Sequence, residues 1–294
     1  MKYDFNTNTM KDRIQISITE WVSPEENLIE IHRISGKSYV TYIIKAQFVG
    51  REVEGIKSGD YMLLSKVACD VATTPTASYS IGDGNKYFNI PPEQVMGIFK
   101  GNNVTFSNLI MRDKNILFKR IMKEQNSDIF IEEKDTMLGE IVKVSTGSAL
   151  KVGDKVAVRD NASTPIKFGE DEYFAVEEKF VVGILHKGEA ISDMEILNEY
   201  ILMKPYVSKN VLNSKVLITP EINYEDLDYS DINNRNLFRV LYVDKSLKNI
   251  KKGDILLLNR DYTNYMYYEN EKYFVVNEEK WISGKIIERD KQCN

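Results

Sequence analysis

Two cysteines, two histidines, no excess of positive charge and no long apolar run: the scarcities of this 294-residue sequence exclude several classes of protein at once. Cys69 and Cys293 cannot build a disulfide framework or a cysteine-based metal site, and so few thiols fit a reducing compartment. His32 and His186 exclude a histidine-rich metal centre, and any nucleophilic triad would have to use one of two isolated rings with no partner motif. No stretch approaches the roughly 20 apolar residues of a membrane-spanning helix. The opening Met1-Lys2-Tyr3-Asp4-Phe5-Asn6 lacks the apolar core of a signal peptide, so the expected location is the cytoplasm of the producing cell. Lys and Arg number 39 against 44 Asp and Glu, a net charge of -5, which leaves no broad footprint for a phosphate backbone; no nucleic-acid or membrane partner is expected. The most basic stretch, Arg112 to Lys123, brackets Ile116, Leu117 and Phe118 and reads as a strand with a solvated edge.

Motifs of chemistry are equally scarce. Gly36-Lys37-Ser38 lacks the upstream glycine of a phosphate-binding loop, because position 31 is Ile31, and Gly82-Asp83-Gly84 has no third glycine after a strand. The paired acids Glu132-Glu133, Glu177-Glu178 and Glu278-Glu279 would point to opposite faces of a strand, and the last two pairs occupy equivalent places in a repeat. No catalytic, cofactor-binding or metal-binding residue emerges, and the expectation is a protein that is not an enzyme.

What the sequence does contain is that repeat. Ile56-Lys57-Ser58-Gly59-Asp60 precedes Tyr61-Met62-Leu63-Leu64, Leu150-Lys151-Val152-Gly153-Asp154 precedes Lys155-Val156-Ala157-Val158, and Ile250-Lys251-Lys252-Gly253-Asp254 precedes Ile255-Leu256-Leu257-Leu258. Glycine supplies the positive φ of a tight turn, Asp bonds its own backbone, and the aliphatic residues that follow suit a strand. Downstream recur Tyr87-Phe88, Tyr173-Phe174 and Tyr273-Phe274, closed by Gly97, Gly183 and Gly284. Alternation at Ile14-Gln15-Ile16-Ser17-Ile18, and the residues around Ile116 and Ile201, mark opening strands. Short strands with frequent turns and no long helical pattern indicate an all-β chain of three small barrels, spanning 10–100, 105–187 and 196–289. An apolar content of 43% is enough to give each a core.

The middle unit resembles the GroES co-chaperonin family. Lys114-Asn115-Ile116-Leu117-Phe118-Lys119-Arg120 looks like its opening strand, and Gly139-Glu140-Ile141-Val142-Lys143-Val144 like its G-E-V-x-x-V strand. Leu150 to Val156 resembles V-K-x-G-D-x-V, and Tyr173 to Leu185 the closing segment. The resemblance implies three tandem GroES-like β-barrels. It also implies a loop after the opening strand whose apolar triplet docks on a chaperonin ring, with Ile129-Phe130-Ile131 and Val216-Leu217-Ile218 in that place. Such a loop is glycine-rich in the family, whereas here no glycine lies between Gly101 and Gly139 or between Gly188 and Gly253.

Three diverged barrels per chain do not divide into a seven-membered ring, which favours distinct contact surfaces on each. The expected function is therefore a structural or assembly protein that binds other structural subunits, or further copies of itself, through its barrels. A bacteriophage virion component, such as an auxiliary capsid, connector or tail protein, is the specific expectation, by analogy with virions built from repeated small β-domains. A phage-encoded co-chaperonin that assists capsid protein folding is the alternative. Candidate protein-binding residues are the two triplets together with Tyr265 and Tyr267, in a run where tyrosine offers large contact area at low entropic cost.

Overall fold

A computed structural model of the chain describes residues 11–17, 29–33, 36–40, 42–68, 87–101, 103–121, 138–159, 162–186, 190–206, 237–259, 264–268, 271–277 and 281–286. The described residues are dominated by strands. The first group is β1 (Ile14–Ser17), β2 (Ile29–Arg33), β3 (Gly36–Val40), β4 (Ile43–Val49), β5 (Tyr61–Leu64), β6 (Tyr87–Ile90), β7 (Val95–Phe99) and β8 (Leu109–Met111). Next come β9 (Asn115–Arg120), β10 (Leu138–Val144), β11 (Lys155–Val158), β12 (Thr164–Phe168), β13 (Asp171–Glu177), β14 (Val181–Leu185) and β15 (Met194–Ile196). The third group is β16 (Ile201–Pro205), β17 (Leu237–Val243), β18 (Ile255–Leu258), β19 (Tyr265–Tyr268), β20 (Glu271–Val276) and β21 (Ile282–Ile286).

Three sheets share one plan. Their strand orders are β6-β1-β4-β5-β7-β8, β12-β13-β9-β10-β11-β14-β15 and β19-β20-β16-β17-β18-β21, and β2-β3 forms a separate hairpin. In each sheet the opening strand (β1, β9 or β16) sits between the Tyr-Phe strand and the strand that leads to the Gly-Asp turn. Pairing is antiparallel throughout these neighbours, and the sheets are open, their end strands unpaired with each other among the described residues. By packing, the chain divides into two compact units, one holding β1–β10, β12 and β13 and the other β14–β21.

The Gly-Asp turn explains much of this recurrence. Gly59, Gly153 and Gly253 take φ of 94°, 93° and 93°, a region an L side chain rarely adopts. The Asp carboxylate accepts the backbone N–H of the preceding Lys at 2.8 Å (Lys57 to Asp60), 2.8 Å (Lys151 to Asp154) and 2.7 Å (Lys251 to Asp254). Each glycine N–H then donates to the strand opposite, to Ala46, Ile141 or Val240, at 2.7, 2.8 and 2.8 Å. One residue beyond that contact every copy has the same bulge: pairing skips Gln47 opposite β1, Val142 opposite β9 and Leu241 opposite β16. A bulge bends and twists its strand, which curls each sheet at an equivalent place.

One sequence expectation changes. The basic stretch around Ile116 to Phe118 is not a solvated edge, because β9 lies mid-sheet between β13 and β10. Ile116, Leu117 and Phe118 are all fully buried. A run of three consecutive buried residues requires cover on both faces of the sheet. Leu117, Ile166 and Ala175 supply the reason, since they belong to the same core as Ile14, Ile16, Met62 and Phe99 of the first sheet. The third sheet has a core of its own, formed by Ile201, Met203, Phe238, Val240, Leu256, Leu258, Phe274 and Val276.

Candidate interaction site

Of the sequence-derived candidates, Ile129, Phe130, Ile131, Val216, Leu217 and Ile218 lie outside the described residues. Tyr265 and Tyr267 are described, and β19 brings them together. Alternate residues of a strand share a face, so Met266 and Tyr268 are buried at 2% exposure each while Tyr265 and Tyr267 point the other way and stay half-buried. The two rings meet edge to face at a centroid distance of 5.5 Å. The Lys272 ammonium, opposite Tyr267 in the register, lies 4.2 Å from the Tyr265 centroid and 5.3 Å from that of Phe274. A cation over an aromatic face adds attraction.

The equivalent hairpin of the second sheet shows what the other face does. By register, Ile166 and Phe168 of β12 correspond to Met266 and Tyr268, and Pro165 and Lys167 correspond to Tyr265 and Tyr267. Phe168 packs edge-on against Phe99 and Phe106 at 6.1 and 5.8 Å, and Tyr173 stacks on Phe106 at 5.0 Å. Lys143 closes the cluster, its ammonium 4.5 Å from the Phe106 centroid and donating to the Leu109 carbonyl at 3.0 Å. Burial holds the Lys143 amine below the usual lysine range. Phe99 ends β7 and Phe106 lies between β7 and β8 of the first sheet, while Phe168, Tyr173 and Lys143 belong to β12, β13 and β10 of the second, so this cluster joins two of the sheets within one chain. Sequence reasoning missed it; Phe106 sits in a polar stretch with no periodic signal.

The remaining polar groups read as scaffolding. The Glu178 carboxylate accepts the Ser148 hydroxyl at 3.0 Å and the Ala149 N–H at 3.1 Å, pinning the loop before the second Gly-Asp turn. His186 is exposed, its Nε2 2.5 Å from Glu195 Oε2 on β15, with Lys245 Nζ at 3.5 Å from Glu195 Oε1. These side chains, with Tyr242 and Lys252, line an open groove of about 410 Å³. The His186 hydrogen bond, then the Lys245 charge, hold the Glu195 carboxyl below its ordinary value. A carboxylate whose folded-state value is depressed contributes stability above its unfolded value and loses it as pH falls through the folded one. We expect NMR titration to place Glu195 below the usual glutamate range and His186→Gln to return it upward; an unmoved titration would show that the pair does not persist in solution.

Among the described residues, no group of three or more His, Cys, Asp or Glu is placed to hold a metal ion, and no helix is long and apolar enough to cross a membrane. A scan against protein-family models and a search of curated proteins found no match to the chain.

Proposed function

We propose that this chain is a non-enzymatic assembly protein of three tandem GroES-like barrels, at 10–100, 105–187 and 196–289, that binds neighbouring subunits of a larger structure. The observation that carries the reading is the aromatic cluster of Phe99, Phe106, Phe168 and Tyr173, in which the hairpin of one copy is buried on the next. A fold that already uses its hairpin as a docking surface inside the chain has the means to do so between chains, and Tyr265 and Tyr267 offer half-buried aromatic area on the third hairpin, on the face opposite the one that Phe168 uses in the second. The repeated polar groups support the reading from the other side, because the Asp of each turn and Glu178 are engaged in holding backbone rather than converging on a cleft. The specific assembly proposed is a bacteriophage virion, with the protein made in the cytoplasm of the producing cell and incorporated as an auxiliary capsid, connector or tail component.

Native mass spectrometry of the purified protein, alone and with a bacterial chaperonin and ATP, tests the proposal. The expected spectrum is a monomer or small oligomer whose mass does not change when chaperonin is added. A heptamer that joins the chaperonin would overturn it and make the chain a co-chaperonin.

A further inference from the structure

The residue that follows the bulge differs among the three sheets. Where pairing resumes on β4, β10 and β17, opposite Gln15, Leu117 and Leu202, stand Phe48, Lys143 and Tyr242. Two aromatics show what the backbone accepts at this place. The lysine of the middle sheet is therefore not demanded by the fold, and its surroundings set it apart from the other lysines.

Lys119, Lys179, Lys204, Lys245 and Lys285 each meet a carboxylate, on Asp171, Glu177, Glu271, Glu195 and Asp254. Lys143 meets none among the described residues. Its amine has the face of the Phe106 ring at 4.5 Å and the Leu109 carbonyl at 3.0 Å. Both neighbours accept and neither donates. Once the amine has lost its proton, an N–H still serves the carbonyl while the lone pair is taken by no hydrogen bond. Ring and carbonyl also replace water poorly around a cation, which is why burial holds this amine below the usual lysine range. Lys119 shows the contrary case: its hydrogen bond to Asp171 at 2.6 Å holds it above that range, and its lone pair stays protonated. An amine is a nucleophile only in its neutral form, and removal from water is a recognised way of producing that form. The Lys143 side chain is half-buried rather than enclosed, which leaves a small reagent a way in.

We propose that Lys143 is an acylation site, its amine taking the acyl group of a small acyl phosphate. The neutral Nζ attacks the carbonyl carbon; a C–N bond forms, the bond from that carbon to the phosphate oxygen breaks, inorganic phosphate leaves and water takes the amine proton. The product amide keeps one N–H for the Leu109 carbonyl but carries no charge, so the attraction for the Phe106 ring is lost where the first and second sheets meet. The inference rests on the surroundings of one side chain and does not depend on the assembly proposed above.

The full chain incubated with acetyl phosphate, sampled over time and digested for mass spectrometry, tests it. Lys143 is expected to be acetylated several-fold faster than exposed Lys151 of the neighbouring turn and faster still than ion-paired Lys119. Repeated over roughly pH 7 to 10, its rate is expected to level off at a lower pH than that of Lys119. Phe106→Leu replaces the ring with a smaller side chain that lets water reach the amine, and should move the Lys143 midpoint upward while leaving that of Lys119 in place. Lys143 labelling no faster than Lys151, or a midpoint that Phe106→Leu does not move, overturns the proposal. Should that variant not fold, the wild-type rates decide alone.

Discussion

Gly139→Ala is expected to destabilise the protein by about 3 kcal/mol, the upper end of what overpacking a close-packed core costs. Gly139 is the second residue of β10, paired with Arg120 of β9, and the backbone there runs directly beside a buried ring. A Cβ at this position would stand 2.2 Å from Phe118 Cδ2 and 2.8 Å from the Lys119 carbonyl. Neither neighbour can give way easily. Phe118 is fully buried and stacked on Phe174 at 5.6 Å, and the carbonyl is part of the sheet backbone. Either the ring leaves its rotamer or the two strands part, and both disturb the centre of the middle sheet. Urea denaturation read by circular dichroism would measure the change; a loss below about 0.5 kcal/mol, the range of an ordinary surface substitution, would mean that the strands are not this close.

That glycine also shows how far the sequence could be read. The repeat of Lys-x-Gly-Asp, the opening strands and the all-β class were legible because each is local: the Asp of the turn bonds the backbone of the Lys three residues before it, and alternation marks a half-buried strand. Gly139 itself was visible as part of a strand, but its reason was not, since the ring it admits comes from the neighbouring strand. The strands β8 and β15 escaped notice for a different cause. At three residues each, Leu109–Met111 and Met194–Ile196 are too short to carry a period, and only their pairing with β7 and β14 defines them. The stretch from Ile116 to Phe118 misled in the opposite direction. Its flanking lysines and arginines suggested an edge, whereas three adjacent buried residues show that both faces are covered. Of the candidate contact residues, Tyr265 and Tyr267 stood out by composition, while Phe106 and Phe168, which make the contact joining two copies, did not. A single aromatic in a polar segment acquires meaning only when another copy is packed against it.

The second large effect follows from that contact. Phe168→Ala is expected to cost about 2 to 3 kcal/mol, somewhat less than the removal of a fully buried phenylalanine because this ring is half-buried. Phe168 touches Phe99, Phe106 and Tyr173, so its loss removes the centre of the cluster and leaves Phe106 with the Tyr173 stack and the Lys143 ammonium. The energetic loss is less informative than its distribution. In the wild type the first two sheets share a single hydrophobic core, running from Ile14 and Phe99 to Leu117, Ile166 and Ala175, and should open as one cooperative unit. With the cluster cut, backbone amides of β1 and β4 and those of β9 and β13 are expected to separate into two classes of hydrogen-exchange protection, each following its own sheet. Uniform loss across both sheets would instead mean that Phe168 only adds stability and that the copies are coupled by other contacts. Two separable classes would establish the aromatic hairpin as the element that couples the first two sheets into one cooperative unit.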